Sequence, residues 1–255
     1  MILALVGIGL AAGFFSGFFG VGGGLIIVPG LVVILHLDQR RAVGTSLLAI
    51  VPAVLGSLAF YAVAGSVDLV IGGLLALGAV AGAQLGSWLL QRMSVRVAQW
   101  VFIGFVAVMV VQLALLVPDR VTGLVLDPLR IAALVVLGLV AGVLSAVLGI
   151  GGGGVVVPIL MLLGASDLVA KGASLVMMVP TVLSGMVAHL RQHNVDVRAG
   201  LIIGGCSLLT GPLGAWAAHL VPAQVGSWLF AGFLVFIGAT MLRQALKPRA
   251  QVTVP

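Results

Sequence analysis

The sequence predicts an all-α integral membrane protein made of two inverted-topology repeats, each of about five segments. In each repeat two short Gly-broken helices, either fully spanning or re-entrant, precede three spanning ones. Three observations lead there. The first is composition: 62% of residues are hydrophobic, 7% are charged and the mean hydropathy is +1.35, too apolar for a water-soluble domain. Continuous apolar runs of about 18 residues or more recur along the chain, the transmembrane-helix pattern rather than the alternating one of a barrel. The second is internal repetition. Gly13-Phe-Phe-Ser-Gly-Phe-Phe-Gly20-Val-Gly-Gly-Gly24 returns as Gly142-Val-Leu-Ser-Ala-Val-Leu-Gly149-Ile-Gly-Gly-Gly153. Ser16/Ser145, Gly20/Gly149, Pro29/Pro158 and Asp38/Asp167 are 129 residues apart. After one lost residue, a spacing of 128 relates Ser46/Ser174, Pro52/Pro180, Asp68/Asp196, Gly86/Gly214, Trp88/Trp216 and Trp100/Trp228. Residues 1–255 therefore read as one domain, with repeat 1 at about 1–118 and repeat 2 at about 130–246.

The third observation is charge placement. Loop residues divide the first half into pieces at about 2–19, 24–37, 42–64, 68–91 and 96–117. The second half divides at about 130–148, 154–166, 171–190, 197–220 and 223–243. If the first two pieces of each half made one crossing, the Lys and Arg residues would divide 5 against 7. If they run in and back, Arg40, Arg41, Arg92, Arg96, Arg191, Arg198, Arg243, Lys247 and Arg249 share one side, against Arg120, Arg130 and Lys171. Nine against three obeys the positive-inside rule and puts both termini in the cytoplasm. An odd segment number per half turns the second copy over. Accordingly Arg92 and Arg96 have no basic counterpart in 217–224, and Arg191 and Arg198 have none in 64–68.

The elements follow in order. The first piece of each half ends in a glycine knot, Gly20-Val-Gly-Gly-Gly24 or Gly149-Ile-Gly-Gly-Gly-Gly154, which breaks the helix because glycine disfavours helix interiors and takes positive φ freely. A short helix follows each knot, Leu25–Leu37 and Val155–Ala165. The third segments contain Pro52 and Pro180, which kink them. The fourth begin at Asp68 and Asp196, read as N-caps, and the four Trp residues near segment ends read as interfacial anchors.

Interrupted helices in inverted repeats place transporter sites where the breaks meet. The short helices present unpaired N–H groups and positive dipole ends, so Gly20, Gly22, Gly23, Gly24, Gly149, Gly151, Gly152 and Gly153 are the expected anion contacts. Thr45 and Ser46 in the first half, and Ser174 in the second, open the third segments near a Gly as hydroxyl donors, and Gln84 is a mid-membrane amide that needs a partner. The same glycines also suit close helix packing. His189, near the inner end of its segment beside Arg191 and His193, reads first as a solvated, interfacial histidine and second as the candidate coupling group. Lys171 is placed outside the membrane core, and no buried carboxylate is expected. No metal, cofactor or nucleic-acid site is expected: Cys206 is alone, basic stripes are missing, and no hydrolase or nucleotide motif occurs. No cleaved signal peptide is expected.

The duplicated Gly-x-x-Gly-x-Gly-Gly-Gly-x-x-x-x-Pro at Gly17–Pro29 and, with Ala146 first, at Ala146–Pro158 precedes Gly44-Thr-Ser-Leu47 and Gly172-Ala-Ser-Leu175. This arrangement resembles the TauE/SafE family along essentially the whole chain. The resemblance implies a transporter of the bacterial inner membrane for a small anion such as sulfite, thiosulfate or an organosulfonate. Its partners would be that anion and the lipid bilayer, with a homo-oligomer left open. Two other readings remain at this stage: a membrane enzyme or carrier acting on a lipid phosphate, and a non-transporting membrane subunit.

Overall fold

The structure is a computed structural model that describes residues 2–115 and 127–246. Those residues form ten helices: α1 (Ile2–Phe19), α2 (Gly24–Val33), α3 (Gln39–Val63), α4 (Leu69–Arg92), α5 (Val95–Leu115), α6 (Pro128–Leu148), α7 (Gly153–Leu162), α8 (Asp167–Arg191), α9 (Val197–Leu220) and α10 (Ala223–Leu246). Seven of them, α1, α3, α4, α6, α8, α9 and α10, are long and apolar enough to cross a membrane. The apolar stretches of α2, α5 and α7 are shorter. At ~1.5 Å per residue, the ten residues of α2 or α7 cover roughly half of a ~30 Å hydrocarbon layer.

Helix starts are fixed by side-chain caps. The Asp68 carboxylate accepts from Val70 and Ile71 N–H, both at 2.9 Å, and Asp196 accepts from Ala199 N–H at 3.0 Å. Asp38 caps α3, whereas Ser166 caps α8. The α2–α3 connection has five residues, 34–38, and the α7–α8 connection four, 163–166, so the residue lost between repeats lies there. The expected equivalence of Asp38 and Asp167 is thereby corrected: Asp167 occupies the position of Gln39, the first residue of the helix, and both are buried.

Small residues set the packing. Gly9, Gly13 and Gly17 of α1 lie successively on Ile203, Ser207 and Gly211 of α9, so these two helices run parallel. Ser207 and Thr210 hydroxyls donate to the Gly9 and Leu10 carbonyls at 2.8 and 2.9 Å. Gly78, Gly82 and Gly86 of α4 lie likewise on Val135, Leu139 and Val143 of α6, again parallel. Without a hydrophobic force between helices in lipid, such close approach is what gives them dispersion contact. The third helices cross in the opposite sense. Gly44 at the start of α3 lies against His189 and Asn194, and Gly172 at the start of α8 lies against Ser66 beyond the end of α3. Hence α3 and α8 are antiparallel.

These contacts define two ends of the bundle. At one, Arg40 donates to the Gln91 and Met93 carbonyls at 3.0 and 2.9 Å, and Asp196 N–H donates to Thr45 Oγ1 at 2.9 Å. This arginine-rich end gathers the starts of α3 and α9 and the ends of α4 and α8. The opposite end gathers Ser66, Gly172 and His219, whose Nε2 is 3.2 Å from Ser66 Oγ. Gly23 lies on Ala12 and Gly30 on Ile8, so α2 folds back along α1 as a helical hairpin. Gly152 lies on Ala141 in the same way. Each half thus starts with a there-and-back hairpin, and the two hairpins enter from opposite ends.

Candidate functional site: the meeting of two glycine tips

The six glycines that turn the chain at the two tips have matching backbone angles. Gly20, Gly22 and Gly23 have φ of +70°, +79° and +78°, and Gly149, Gly151 and Gly152 have +70°, +84° and +86°. Side chains rarely adopt this region, which accounts for the sequence of both knots. Gly23 and Gly152 are the N-caps of α2 and α7, with no side-chain cap bond. Backbone bonding resumes at Ile26 and Val155, whose N–H groups bond to the Gly23 and Gly152 carbonyls at 3.0 and 3.1 Å. The N–H groups of Gly24 and Leu25, and of Gly153 and Gly154, precede the first intrahelical donor and lie at the positive end of each helix dipole.

The tips meet. Gly24 packs on the Gly149 carbonyl and Gly153 on the Gly20 carbonyl, so the start of each short helix abuts the end of the other half's long helix. All eight expected glycine contacts are buried at this junction. Ser46 Oγ lies 2.9 Å from the Gly149 carbonyl oxygen and 2.7 Å from that of Val43. Ser174 Oγ donates to the Gly20 carbonyl at 3.0 Å. Ser174 thus uses its proton on a carbonyl of the opposite repeat, and Ser46 divides its single proton between its own helix and the opposite repeat, a different task from the direct anion donation expected from sequence. Ser46→Ala and Ser174→Ala each leave a buried carbonyl without its hydroxyl. A loss of about 1–3 kcal/mol is expected for either, read as a lower unfolding midpoint in detergent. Unchanged midpoints for both would remove the serines from the junction's stability.

The other expected residues go elsewhere. Thr45 accepts from Asp196 N–H and ties α3 to α9. Gln84 is exposed, and its amide donates to Ser184 Oγ and the Ser184 carbonyl at 2.6 and 3.1 Å, so the partner it required is on α8 rather than at a tip. His189 is fully buried, which corrects the solvated position expected for it. The start of α3 covers it through Gly44. Its repeat counterpart Tyr61 donates to the Gly17 carbonyl at 3.0 Å.

Sequence reasoning missed two residues that close the junction. The Met178 methyl group touches both Gly22 and Gly151, and a Cβ at these glycines would stand 3.1 and 3.6 Å from Ile50 Cγ2. Ile50 and Met178 are repeat counterparts, each four residues after its junction serine. That one-turn spacing, Ser46 to Ile50 and Ser174 to Met178, is the signal that could have found them. Sequence also missed a buried charge pair. Lys171 and Asp167 lie inside, with Nζ 3.5 Å from Oδ2, and Lys171 packs on Gly20.

Comparison with known proteins fits this architecture. A chain of Haemophilus influenzae described as a probable membrane transporter protein is 29% identical over 94% of this chain and 97% of its own length. Bacillus subtilis YunE, also a probable membrane transporter protein, is 26% identical over 95% of this chain and 97% of its own length. B. subtilis YdhB, with the same description, is 35% identical over 44% of this chain and 46% of its own. No solved structure matches the chain. The family described as "Sulfite exporter TauE/SafE" matches residues 1–113 and 134–254, both tips included. The chain belongs to the TauE/SafE family of membrane transporters.

Proposed function

We propose that this transporter carries a small sulfur-containing oxyanion, sulfite, thiosulfate or an organosulfonate, through the junction of the two tips. The observation that carries the reading is the paired arrangement of helix N-termini. Two buried helix starts present N–H groups, while the nearest competing carbonyls, Gly20 and Gly149, already accept serine hydroxyls. The polar groups left at the junction are donors, which suits an anion and disfavours a cation. The family's description as a sulfite exporter favours sulfur oxyanions among anions.

The halves act as inverted repeats of a single transport domain, a reading supported by antiparallel α3 and α8 and by hairpins from opposite ends. The arginine-rich end faces the cytoplasm of a bacterial cell, with both chain termini on that side. Ile50 and Met178 hold the tips closed, and alternating access opens the junction first to one end and then to the other. The buried imidazole of His189 is the coupling group of the arginine-rich end.

Two measurements test this. Purified protein in proteoliposomes should show saturable uptake of labelled sulfite, thiosulfate or sulfoacetate. If none of these moves and a lipid phosphate is turned over or translocated instead, the anion reading is wrong. For orientation, single cysteines at 66, 94, 169 and 194 in a Cys206→Ala background should label from outside at 66 and 169. Those at 94 and 194 should label only from inside; labelling of 94 and 194 from opposite faces sinks the topology.

A further inference from the structure

Among the described residues, Lys171 is the only buried Lys or Arg, with 8% of its surface exposed. It lies one turn after the equally buried Asp167, and its stem packs directly on Gly20, the first residue of a tip. The pair opens onto a cleft between the end of α1, α7, α8 and the start of α10, lined also by Phe19, Pro158, Ser227 and Phe230. Its volume of about 20 Å³ is the room of a single water. In the other repeat the corresponding positions are Gln39 and Val43, so the tips are matched but the charge pair is not.

A buried ion pair is an expensive way to hold two helical turns together, because apolar residues of similar size do so without desolvating charge. Nζ and Oδ2 are 3.5 Å apart, at the outer limit of a hydrogen bond. A carboxylate is itself a small oxyanion. A lysine that holds one here, against the anion-binding tip, has the chemistry and the place to hold another.

We propose that Lys171 is an anion subsite at the opposite end of the protein, where the incoming oxyanion displaces the Asp167 carboxylate before it passes Gly20 to the tip junction. This rests on the anion-transport reading and deepens it. Asp167 serves as the resting counter-ion, so that the cation is never buried alone between transport events. The subsite is one-sided: the arginine-rich end has Gln39 and Val43 instead and captures the anion without a buried cation.

The test uses full-length protein in proteoliposomes of defined orientation, with labelled sulfite and thiosulfate as probes and initial rates taken from each face. Lys171→Met combined with Asp167→Asn removes both charges of the pair together. From the cleft side it should raise KM by about tenfold or more, with a much smaller fall in kcat, and it should change KM little from the arginine-rich side. Asp167→Asn alone removes the competitor and should lower KM from the cleft side by a few-fold. This second variant carries the test if the double variant does not fold. A merely structural pair would change amounts and rates from both sides alike. Wild-type KM in the double variant, or a raised or unchanged KM in Asp167→Asn, overturns the subsite while leaving transport in place. Failure of the wild-type protein to bind or move either probe overturns both readings.

Discussion

Gly23→Ala is expected to reduce anion flux below a tenth of wild type, whereas Gly152→Ala should retain more. Both positions have positive φ, +78° and +86°, so either side chain costs about 1–2 kcal/mol of backbone strain. The surroundings separate them. A Cβ at Gly23 would lie 2.6 Å from the Ala12 carbonyl oxygen, a distance that real side chains do not tolerate and that only movement of α1 can relieve. At Gly152 the nearest contact is the Ala141 carbonyl oxygen at 3.1 Å, which a shift of a few tenths of an ångström relieves. Strain at Gly23 therefore passes into the α1–α2 hairpin and moves the donor end of α2 off its place against Gly149. Tenfold in rate is only about 1.4 kcal/mol, and the backbone strain alone is of that order. Flux and binding of labelled sulfite in well-folded variants decide it. Wild-type activity in Gly23→Ala would detach the tip from function.

Gly142→Leu is expected to be the most destabilising single change in the helix packing, by about 3 kcal/mol or more. Gly142 lies directly on the backbone of Ala79, with a Cβ there only 2.8 Å from the Ala79 Cα, so no rotamer of leucine avoids α4. The neighbouring contacts, Gly138 on Leu75 and Gly82 on Leu139, belong to the same seam, and all loosen when the two helices part. Gly104→Leu on α5 is the control. Nothing stands within 4 Å of a Cβ at Gly104 and the residue is exposed, so this change should be neutral or slightly stabilising through helix propensity. The measurement is thermal unfolding of detergent-purified variants. Equal midpoints for the two leucine variants would mean that α4 and α6 are not held by this seam.

The two glycine effects differ in kind, and only one was legible in advance. The knots declare themselves in sequence because four glycines in five positions, twice, have no use in a continuous helix. The spaced glycines of α1, α4 and α6 carry no such signal, since residue identity does not say which face meets a neighbour. The structure separates them: Gly9, Gly13 and Gly17 pack on α9, and Gly20 onward make the tip.

Local signals settled much of the rest. Hydropathy set the helices, capping carboxylates set where α4 and α9 begin, and the skewed distribution of arginines pointed to hairpins that go in and return. All of these depend on neighbours in the chain or on the contrast of water and lipid, so the sequence carries them directly. What only the tertiary structure decided concerns groups whose partners are far along the chain. Ser46 finds its carbonyl 103 residues away and Ser174 finds one 154 away, so their role as cross-repeat latches has no local signature. Lys171 looks from sequence like one more loop cation, because it stands at the very start of an apolar segment. It is buried because α8 crosses α3 antiparallel and brings that start against the first tip. The same crossing buries His189 at the other end. Burial of a polar side chain is a property of what packs over it, and here the covering helix comes from the opposite half of the chain.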